Sequence, residues 1–486
     1  MYKRIKVIAV ILIISLFSLG GRLFYLSYFD TAAVQSRKNS GTETYGTNRG
    51  LILDCRLKPL VETEQSLIHS KINTAMSFSV PVRYAANQLC PHIIGYTDAD
   101  NIGVVGIEKD YNSYLKAIPN TITVTTYKDA KGRELLGKGT QVNTEKQCKD
   151  SGIALCIDSR IQEIVQKAGE QLKTGAIVVM RADSAEIAGI SSFPLFSPNA
   201  IEKEMKDTNQ PLLNRALQNY NVGSVFKVVV CLAALEKGIS PAFTYRCTGE
   251  TKCGGITFHC HKEQGHGILN MEQALAASCN PYFIHLAQRT GYEKIVEICK
   301  RLHLEEAIHL SDSIQAAGGN LPAEKNLVSP AALANFSFGQ GELLATPVWL
   351  CNLYCTIYNG GYYMQPKLIK GKVLNGVCQT KEQNKTAVFG SSHAQTLTRM
   401  LQYAVEKGTG RGAYLENLNI GGKTATAQTG LFTGNQEKLI SYFIGMYTTK
   451  GEKYTVLVMR ENGTSGSADC VPIFKEICHE ICALKD

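Results

Sequence analysis

The first thirty residues constrain this chain more than any other part of its sequence. Three basic residues within positions 1–6 precede an apolar run over residues 7–29 that only Arg22 interrupts. A run of about 23 residues is long enough to cross roughly 30 Å of hydrocarbon as one helix. The positive-inside rule therefore predicts a single-pass protein of the cell membrane, with a cytoplasmic tail at 1–6, a transmembrane anchor at 7–29 and the remainder outside. A cleaved signal peptide is the alternative, although no A-x-A cleavage pattern follows the apolar core.

Composition excludes several classes of protein and of partner. The chain has 486 residues, of which 44% are hydrophobic and 19% charged, so it can bury a large core and is not intrinsically disordered. Its formal net charge of +9 is spread over the whole length without a dense block of lysine and arginine. No nucleic-acid partner is therefore predicted, and a mildly basic exterior suits an acidic cell surface.

The composition and hydrophobic pattern of the sequence change twice after the apolar run. Residues 30–48 are polar and are predicted to form a juxtamembrane linker, and residues 49–150 carry short apolar runs between turns, which indicates a small strand-rich module. The domain predicted over 151–486 opens with a helix capped by Ser159 and a hairpin over 176–191. A helical middle, two closing strands and a terminal helix over 472–484 follow.

This order of elements predicts the fold class. The first and last segments of the 151–486 domain are expected to share one antiparallel sheet that helices flank, with the helical middle as a subdomain. We therefore expect an α/β (α+β) fold behind a single transmembrane helix and a small strand-rich N-terminal module.

Residues 221–227, N-V-G-S-V-F-K, carry the first candidate for chemistry. Ser224 and Lys227 are three residues apart at the start of a predicted helix, a spacing that puts both side chains on one face. A serine hydroxyl becomes a strong nucleophile when a base takes its proton, and a lysine amine of depressed pKa can be that base. A helix cap followed by a solvated lysine is the structural alternative.

Two further segments carry polar groups that suit the same chemistry. Ser278 and Asn280 follow a helix predicted at 271–277, where an ordinary polar helix end is the simpler interpretation. Residues 421–427, G-G-K-T-A-T-A, bring together one cation and two hydroxyls that could bind a carboxylate. A phosphate-binding loop of the G-x-x-x-x-G-K-[ST] type is excluded because position 417 is Asn.

The order S-x-x-K, S-x-N, K-T-x-T resembles the penicillin-binding transpeptidases. R-G-L-I-L-D at 49–54, H-I-I-G-Y at 92–96 and G-I-E-K-D-Y at 106–111 are similar to the non-catalytic module of class B proteins of that family. The strand pair from residue 175, N-R-A at 214–216 and S-F-G-Q-G at 337–341 are similar to segments of the transpeptidase domain. The chain is identified as a class B penicillin-binding protein of the serine acyltransferase and β-lactamase superfamily, which implies a dimerisation or pedestal-like module at 49–150.

The resemblance implies a role for each catalytic candidate. Ser224 would be acylated by a peptidoglycan stem peptide, with release of its terminal D-alanine, and Lys227 would be the general base. Ser278 would relay protons to the leaving amine. Asn280 would hydrogen-bond the substrate backbone.

The third motif would bind the end of the substrate. Lys423, Thr424 and Thr426 would hold the carboxylate, with Lys423 counted among the catalytic residues. The backbone N–H groups of Ser224 and Thr426 would form the oxyanion hole, where losing one donor typically costs roughly 10²–10³ in rate.

The resemblance predicts a penicillin-binding D,D-transpeptidase that cross-links peptidoglycan, and leaves two alternatives. A D,D-carboxypeptidase differs only in using water as the acceptor. A catalytically impaired scaffold or β-lactam sensor is the other alternative, because Ala425 stands where the family has Gly. Val222 replaces a usual Pro without removing a catalytic atom, and the absence of a convincing E-x-x-L-N loop disfavours a β-lactamase.

The same resemblance implies the partners. Stem peptides and β-lactam antibiotics would bind the site, the cytoplasmic membrane would hold the anchor, and a polytopic membrane glycosyltransferase of the cell-wall machinery would bind the span. No cofactor is expected to be required.

The sixteen cysteines have irregular spacing, so no disulfide framework is assigned. One cluster lies between the first two motifs: Cys247, Cys253, His259, Cys260, His261 and His266. Thiolates and imidazoles are zinc ligands, so a structural zinc site is one interpretation, with Cys247, Cys260 and His266 as ligands and the fourth unassigned. A Cys247–Cys260 disulfide and a loop with free thiols are the alternatives.

Overall fold

A computed structural model describes residues 2–30, 40–46, 49–69, 77–118, 120–127, 140–146, 151–380 and 382–485. The chain divides into two compact units. The smaller unit comprises 1–50, 62–83 and 116–149, and the larger unit comprises 51–61, 84–115 and 150–486. Two segments of the predicted 49–150 module therefore belong to the larger unit, and the extent of a separate module stays a prediction.

The smaller unit begins with an apolar helix. An α-helix over Tyr2–Tyr25 continues into a π-helical turn at Leu26–Asp30. The mean hydropathy of its most apolar window is 2.3, and none of that window is buried in the protein. By length and composition this helix can cross a membrane, in agreement with the predicted anchor.

Strands make up most of the described remainder of the smaller unit. A three-stranded antiparallel sheet has the order Ser40–Gly46, Asn120–Tyr127, Thr140–Lys146, and Glu64–His69 pairs with Ser77–Val82 in a hairpin. The first strand lies inside the predicted 30–48 linker, whose other residues from 31 onward lie outside the described part of the chain.

The larger unit is built on a five-stranded antiparallel sheet. Its strands in chain order are β1 (Gly175–Arg181), β2 (Glu186–Phe193), β3 (Gly421–Thr433), β4 (Gln436–Thr449) and β5 (Glu452–Glu461). They lie side by side in the order β2-β1-β5-β4-β3. Strand β1 from the start of the domain pairs with β5 from its end, which confirms the predicted shared sheet and leaves β3 at one edge.

Both faces of this sheet are buried, which explains the unbroken apolar sequence of β1. Side chains alternate along a strand, so Val178 and Ile177 point to opposite faces. Val178 packs in the cluster that contains Trp349 of the Pro347–Tyr358 helix. Ile177 packs in a second cluster with Phe474, which belongs to the C-terminal helix.

Helices flank the five-stranded sheet, and most of the helices that follow the apolar one lie between β2 and β3, as predicted. The α-helices are Pro91–Ile94, Gly106–Asp110, Asn112–Lys116, Ser159–Gly169, Ile201–Glu204, Lys227–Glu236, Met271–Ala276, Asn280–Thr290, Tyr292–Arg301, Glu324–Leu327, Pro330–Ser337, Pro347–Tyr358, Ser391–Lys407, Gly466–Asp469 and Val471–Ala483. Single 3₁₀ turns lie at Glu170–Leu172, Arg215–Leu217, Gly223–Phe226 and Arg411–Ala413. The predicted cap at Ser159 is wrong by one residue, because the side chain of Asp158 accepts the N–H of Arg160 and caps the helix.

Small sheets complete the larger unit. One has four strands in the order Leu51–Leu53, Gly152–Leu155, Ile369–Leu374, Val377–Thr380. The two-stranded pairs are Tyr96–Thr97 with Gly103–Val105, Tyr220–Asn221 with Leu344–Ala345, Tyr245–Cys247 with Gly267–Leu269, Glu250–Cys253 with Ile256–His259, Ile308–His309 with Gln315–Ala316, and Tyr362–Tyr363 with Thr386–Ala387. All predicted site residues lie in this larger unit.

Candidate active site

The half-buried Ser224 lies in the 3₁₀ turn Gly223–Phe226, which runs directly into the helix that Lys227 opens. Gly223 has φ +66°, and its N–H donates a 2.8 Å hydrogen bond to the carbonyl of Gly339. A Cβ at Gly339 would collide with the carbonyl of Gly223. Both positions therefore require glycine, and the S-F-G-Q-G segment supports the turn that carries the serine.

Lys227 is completely buried, and its ammonium group faces the second motif. Nζ donates to the carbonyl oxygen of Ser278 at 2.8 Å, to Oγ of Ser278 at 3.2 Å and to Oδ1 of Asn280 at 2.7 Å. Burial lowers the pKa of Lys227 to about 7. The lysine is therefore poised to exchange a proton near neutral pH.

The second motif is a sharp turn rather than a plain helix end. Ser278 has φ +52°, Cys279 is the N-cap residue, and Asn280 opens the helix Asn280–Thr290 with Pro281 in its first turn. The left-handed backbone of Ser278 separates this helix from the preceding one, Met271–Ala276. As a result, the side chains of Ser278 and Asn280 converge on the same lysine.

The third motif forms the first half of the edge strand β3. Lys423 is fully buried, and Nζ donates to the carbonyl of Thr424 at 2.9 Å. Burial and then the charge of Lys227 hold the pKa of Lys423 well below its ordinary value. The two lysines therefore lie within electrostatic reach of each other.

The two threonines of this motif have partners that the sequence did not single out. Oγ1 of Thr424 lies 2.7 Å from Oγ1 of Thr409, and Oγ1 of Thr426 accepts a 3.4 Å hydrogen bond from the N–H of Gly466. Thr424 is nearly buried, whereas Thr426 is exposed. These partners lie 15 and 40 residues away, so no local pattern indicates them.

Ala425 packs against Gly223, in the turn that carries Ser224. It is 3% exposed, pairs with Tyr442 in the continuous β3–β4 register, and its Cβ would lie 3.3 Å from a Cβ added at Gly223. The absent side chain of Gly223 therefore leaves room for the methyl group of Ala425, and the strand is paired without a break from Gly421 to Gln428.

A group of metal-ligand side chains lies directly behind the second motif. The ligand atoms of Cys247, Cys260, His266 and Cys279 all lie within 4.8 Å of one another. Burial lowers the pKa of His266, and a hydrogen bond with the Cys279 thiol lowers the pKa of Cys260. Three cysteine sulfurs and one imidazole nitrogen match the donor set and the ligand number of a structural zinc ion.

The structure brings together the three ligands predicted from the sequence and adds Cys279, which sequence reasoning treated only as the middle of S-x-N. Cys253, His259 and His261 are not in this group of four. Cys253 instead donates to the carbonyl of Pro330 at 3.2 Å, and His259 is largely exposed. Cys247 and Cys260 are free thiols, so the structure has no disulfide between them.

Comparison with known proteins decides the family. Residues 175–479 match the family described as penicillin binding protein transpeptidase domain. This chain belongs to that family, in its class B branch. All predicted site residues lie within the matched range, and so does Cys279.

Curated relatives of this penicillin-binding protein come from several bacteria. Stage V sporulation protein D of Bacillus subtilis is 27% identical over 397 residues, which cover 78% of this chain and 59% of the relative. Peptidoglycan D,D-transpeptidase FtsI of Escherichia coli is 25% identical over 408 residues, covering 81% of this chain and 66% of the relative. The chain thus spans about three fifths of the length of Stage V sporulation protein D.

Solved structures share the fold of this penicillin-binding protein. A chain of a peptidoglycan synthase complex that coordinates polymerization and crosslinking has a TM-score of 0.74 and 23% identity over 99% of both chains. Penicillin-binding protein 3 of Mycobacterium tuberculosis has a TM-score of 0.70 and 23% identity, covering 91% of this chain and 97% of its own. The same Mycobacterium protein has also been solved with bound aztreonam.

Proposed function

We propose that this chain is a peptidoglycan D,D-transpeptidase that works through an acyl-enzyme on Ser224. The observation that carries the proposal is the environment of Lys227, a buried lysine whose pKa lies near 7 and whose partners are the serine and asparagine of the second motif. About half of such a lysine is unprotonated at neutral pH, and the neutral form can serve as a general base.

Acylation follows from the placement of the polar groups. Neutral Lys227 takes the proton of Ser224 as Oγ attacks the carbonyl carbon of the penultimate D-alanine. The N–H groups of Ser224 and Thr426 stabilise the oxyanion. Lys423 with the hydroxyls of Thr424 and Thr426 holds the terminal carboxylate, which fixes the scissile bond over the nucleophile.

Proton return to the leaving amine uses Ser278. Once it has taken the Ser224 proton, Lys227 is an ammonium with three protons, and its three partners are the carbonyl oxygen of Ser278, Oδ1 of Asn280 and Oγ of Ser278. Oγ of Ser278 takes one of these protons and gives its own proton to the leaving amine. This releases D-alanine, and the amine of a neighbouring stem then attacks the acyl group, its proton returning to Oγ of Ser224 as the acyl bond to the serine breaks.

Covalent labelling tests the acyl-enzyme. Fluorescent penicillin is expected to label the full-length protein in detergent, and Ser224→Ala should abolish the labelling. Ser313→Ala is the matched control, since Ser313 is an exposed serine of the same unit that lies outside the three motifs. Labelling that survives in the Ser224→Ala protein would contradict the proposal.

The fate of the acyl group separates the remaining functions. A stem-peptide thioester is incubated with the protein and a D-amino acid, and the products are separated by mass. A peptide carrying the new D-amino acid supports transpeptidation, whereas the free acid alone indicates a D,D-carboxypeptidase. Covalent labelling without either product indicates an impaired scaffold or sensor.

Anchoring and partnership are a second part of the proposal. The helix at Tyr2–Tyr28 is apolar enough to hold the chain in the cytoplasmic membrane, with residues 1–6 inside and the catalytic unit outside. The same span would dock a polytopic membrane glycosyltransferase. Replacing residues 7–29 with an unrelated apolar span should keep the protein in the membrane but abolish co-purification of that enzyme, and unchanged co-purification would contradict the docking role.

The Cys247, Cys260, His266 and Cys279 group is proposed to hold a structural zinc ion. Zinc would tie the two strand pairs that carry or adjoin the first three ligands to the residue between Ser278 and Asn280, and so would brace the second motif. The ion would have no open coordination position for chemistry, since all four ligands come from the protein.

The zinc content of the purified protein tests the proposed zinc site independently of catalysis. Protein purified without added metal is expected to contain one zinc per chain, and Cys279→Ser should lower both the zinc content and the unfolding temperature. Cys253→Ser is the control, because Cys253 is a buried cysteine outside the group. Equal zinc content in the wild type and the Cys279→Ser variant would contradict the assignment.

A further inference from the structure

Thr409 contacts the third motif, the helix that precedes the second motif, and the Gly466–Asp469 helix. Its Oγ1 is 2.7 Å from Oγ1 of Thr424 on the edge strand. Its N–H donates a 3.0 Å hydrogen bond to the carbonyl of Ala276, at the end of the helix that precedes Ser278. Its carbonyl accepts a 3.0 Å hydrogen bond from Oγ of Ser467.

The backbone contacts make the position of Thr409 independent of its hydroxyl. Two hydrogen bonds hold its peptide groups, one to Ala276 and one to Ser467, so both remain if the side chain is replaced. The hydroxyl is then free to serve one purpose, which is the contact with Thr424.

Counting protons assigns a direction to that contact. Each threonine hydroxyl has one proton and two lone pairs, and only one of the two protons can lie between the oxygens. A carboxylate of the substrate is an acceptor only, so Thr424 must point its own proton at it. The proton between the two oxygens must then come from Thr409.

We propose that Thr409 is a positioning residue that orients the hydroxyl proton of Thr424 toward the substrate carboxylate and so favours stems with a free carboxyl end. The proposal rests on the proposed function of the site. Thr424 is only 7% exposed, so the hydroxyl has little access to water that could replace Thr409 as a donor. A donor that is already oriented strengthens binding of the anion without reorganisation when substrate arrives.

The test compares two substrates that differ only at the carboxyl end. The probes are an N-acyl-D-alanyl thioester with a terminal carboxylate and the same thioester as its neutral amide, and the rate of acylation is measured on the full-length protein. Thr409→Val keeps the shape but removes the donor, and should slow acylation by the carboxylate probe roughly fivefold to tenfold. Acylation by the amide probe should change less than twofold, and Thr409→Ser should restore the preference.

A double-mutant cycle shows whether Thr409 acts through Thr424. Thr424→Val is expected to lose more of the carboxylate preference than Thr409→Val, and adding Thr409→Val to it should cost nothing further. Equal losses on both probes, or additive losses in the double variant, would overturn the proposal and leave Thr409 a structural residue. The two proposals fail separately, because a wild type that neither penicillin nor thioester acylates contradicts the enzyme function itself.

Discussion

Nζ of Lys227 donates a 2.7 Å hydrogen bond to Oδ1 of Asn280, so the shortest contact of this buried lysine is to a neutral amide. An amide oxygen has no net charge, so it stabilises the ammonium less than a carboxylate in the same place would. Burial therefore lowers the pKa of Lys227 without an opposing carboxylate at this position, to about 7. An asparagine here is thus compatible with the low pKa that a general base requires.

The pH dependence of acylation should follow this lysine. The fraction of neutral Lys227 rises with pH, so the rate of penicillin acylation is expected to increase through an apparent pKa of about 7 and then level off. Asn280→Asp places a carboxylate beside Nζ, which stabilises the charged form and should move the midpoint upward by at least one pH unit. A midpoint that stays in place would show that another group limits the rate.

Replacing the lysine should stabilise the protein while inactivating it. The folded-state pKa of Lys227, about 7, lies below the ordinary lysine value of about 10.4, so the unfolded chain binds more protons between these values and wild-type stability rises with pH across that window. Lys227→Met removes the cost of burying a charge, and its gain in unfolding temperature should be several degrees at pH 6 and smaller at pH 9. Lys475→Met, at an exposed lysine, is the control. An equal gain in unfolding temperature at pH 6 and pH 9 would show that the buried charge of Lys227 is not its cause.

Ala425 and Gly223 should respond differently to a change of one methyl group. Gly223→Ala puts a Cβ 3.1 Å from Cβ of Ala427 and 3.3 Å from Cβ of Ala425, at a backbone φ of +66°, and acylation is expected to fall at least tenfold. Ala425→Gly only removes a methyl group from a well-paired strand, and should lower stability by about 1 kcal/mol while changing acylation less than threefold. Penicillin labelling rates and thermal unfolding measure the two effects. A large increase of acylation in Ala425→Gly would instead indicate that the alanine impairs the natural enzyme.

Residues 464–469 form a loop whose Gly466 N–H bonds to Thr426, and the carboxylate of Asp469 holds this loop together. Burial alone would raise the pKa of Asp469, but hydrogen bonds from Ser441 and from the N–H groups of Thr464 and Ser465 hold it below its ordinary value. Asp469→Asn is therefore expected to cost about 2 kcal/mol at pH 7.

Because the pKa of Asp469 is lowered in the folded protein, the stability lost in Asp469→Asn should depend on pH. A carboxylate with a depressed pKa stabilises the fold above its unfolded-state pKa of about 3.9 and loses that contribution as the pH falls through the folded value. The stability difference between the wild type and Asp469→Asn should therefore shrink below pH 4. Denaturant unfolding at pH 7 and pH 3.5 measures it, and a difference independent of pH would rule out the ionised carboxylate as its source.

Regular elements and their order could be predicted from the sequence because local periodicity determines them. The 176–191 hairpin and the terminal helix lie within about two residues of their predicted limits. Cys279 as a possible metal ligand could not be predicted this way, since it meets Cys247 and Cys260 only after the second motif turns at Ser278. Thr409 lacks a motif of its own, and its role depends on a contact with a strand that begins twelve residues later.

The contacts of Ala425 are a further example of what the sequence alone does not predict. Alternation along a strand predicts that Ala425 shares a face with Lys423, but not what that face touches. The neighbouring Gly223 comes from a distant turn, and only the folded chain shows that its missing side chain matches the added methyl group.

The pairing of β1 with β5 also determines when the protein can fold. The centre of the sheet stays incomplete until the last strand, Glu452–Glu461, has been synthesised. Such non-local pairing folds slowly and leaves apolar strand edges exposed in the meantime. A truncation before β5 should therefore yield an insoluble protein that still has every proposed catalytic residue, because the last of them, Lys423, precedes the strand that completes the sheet.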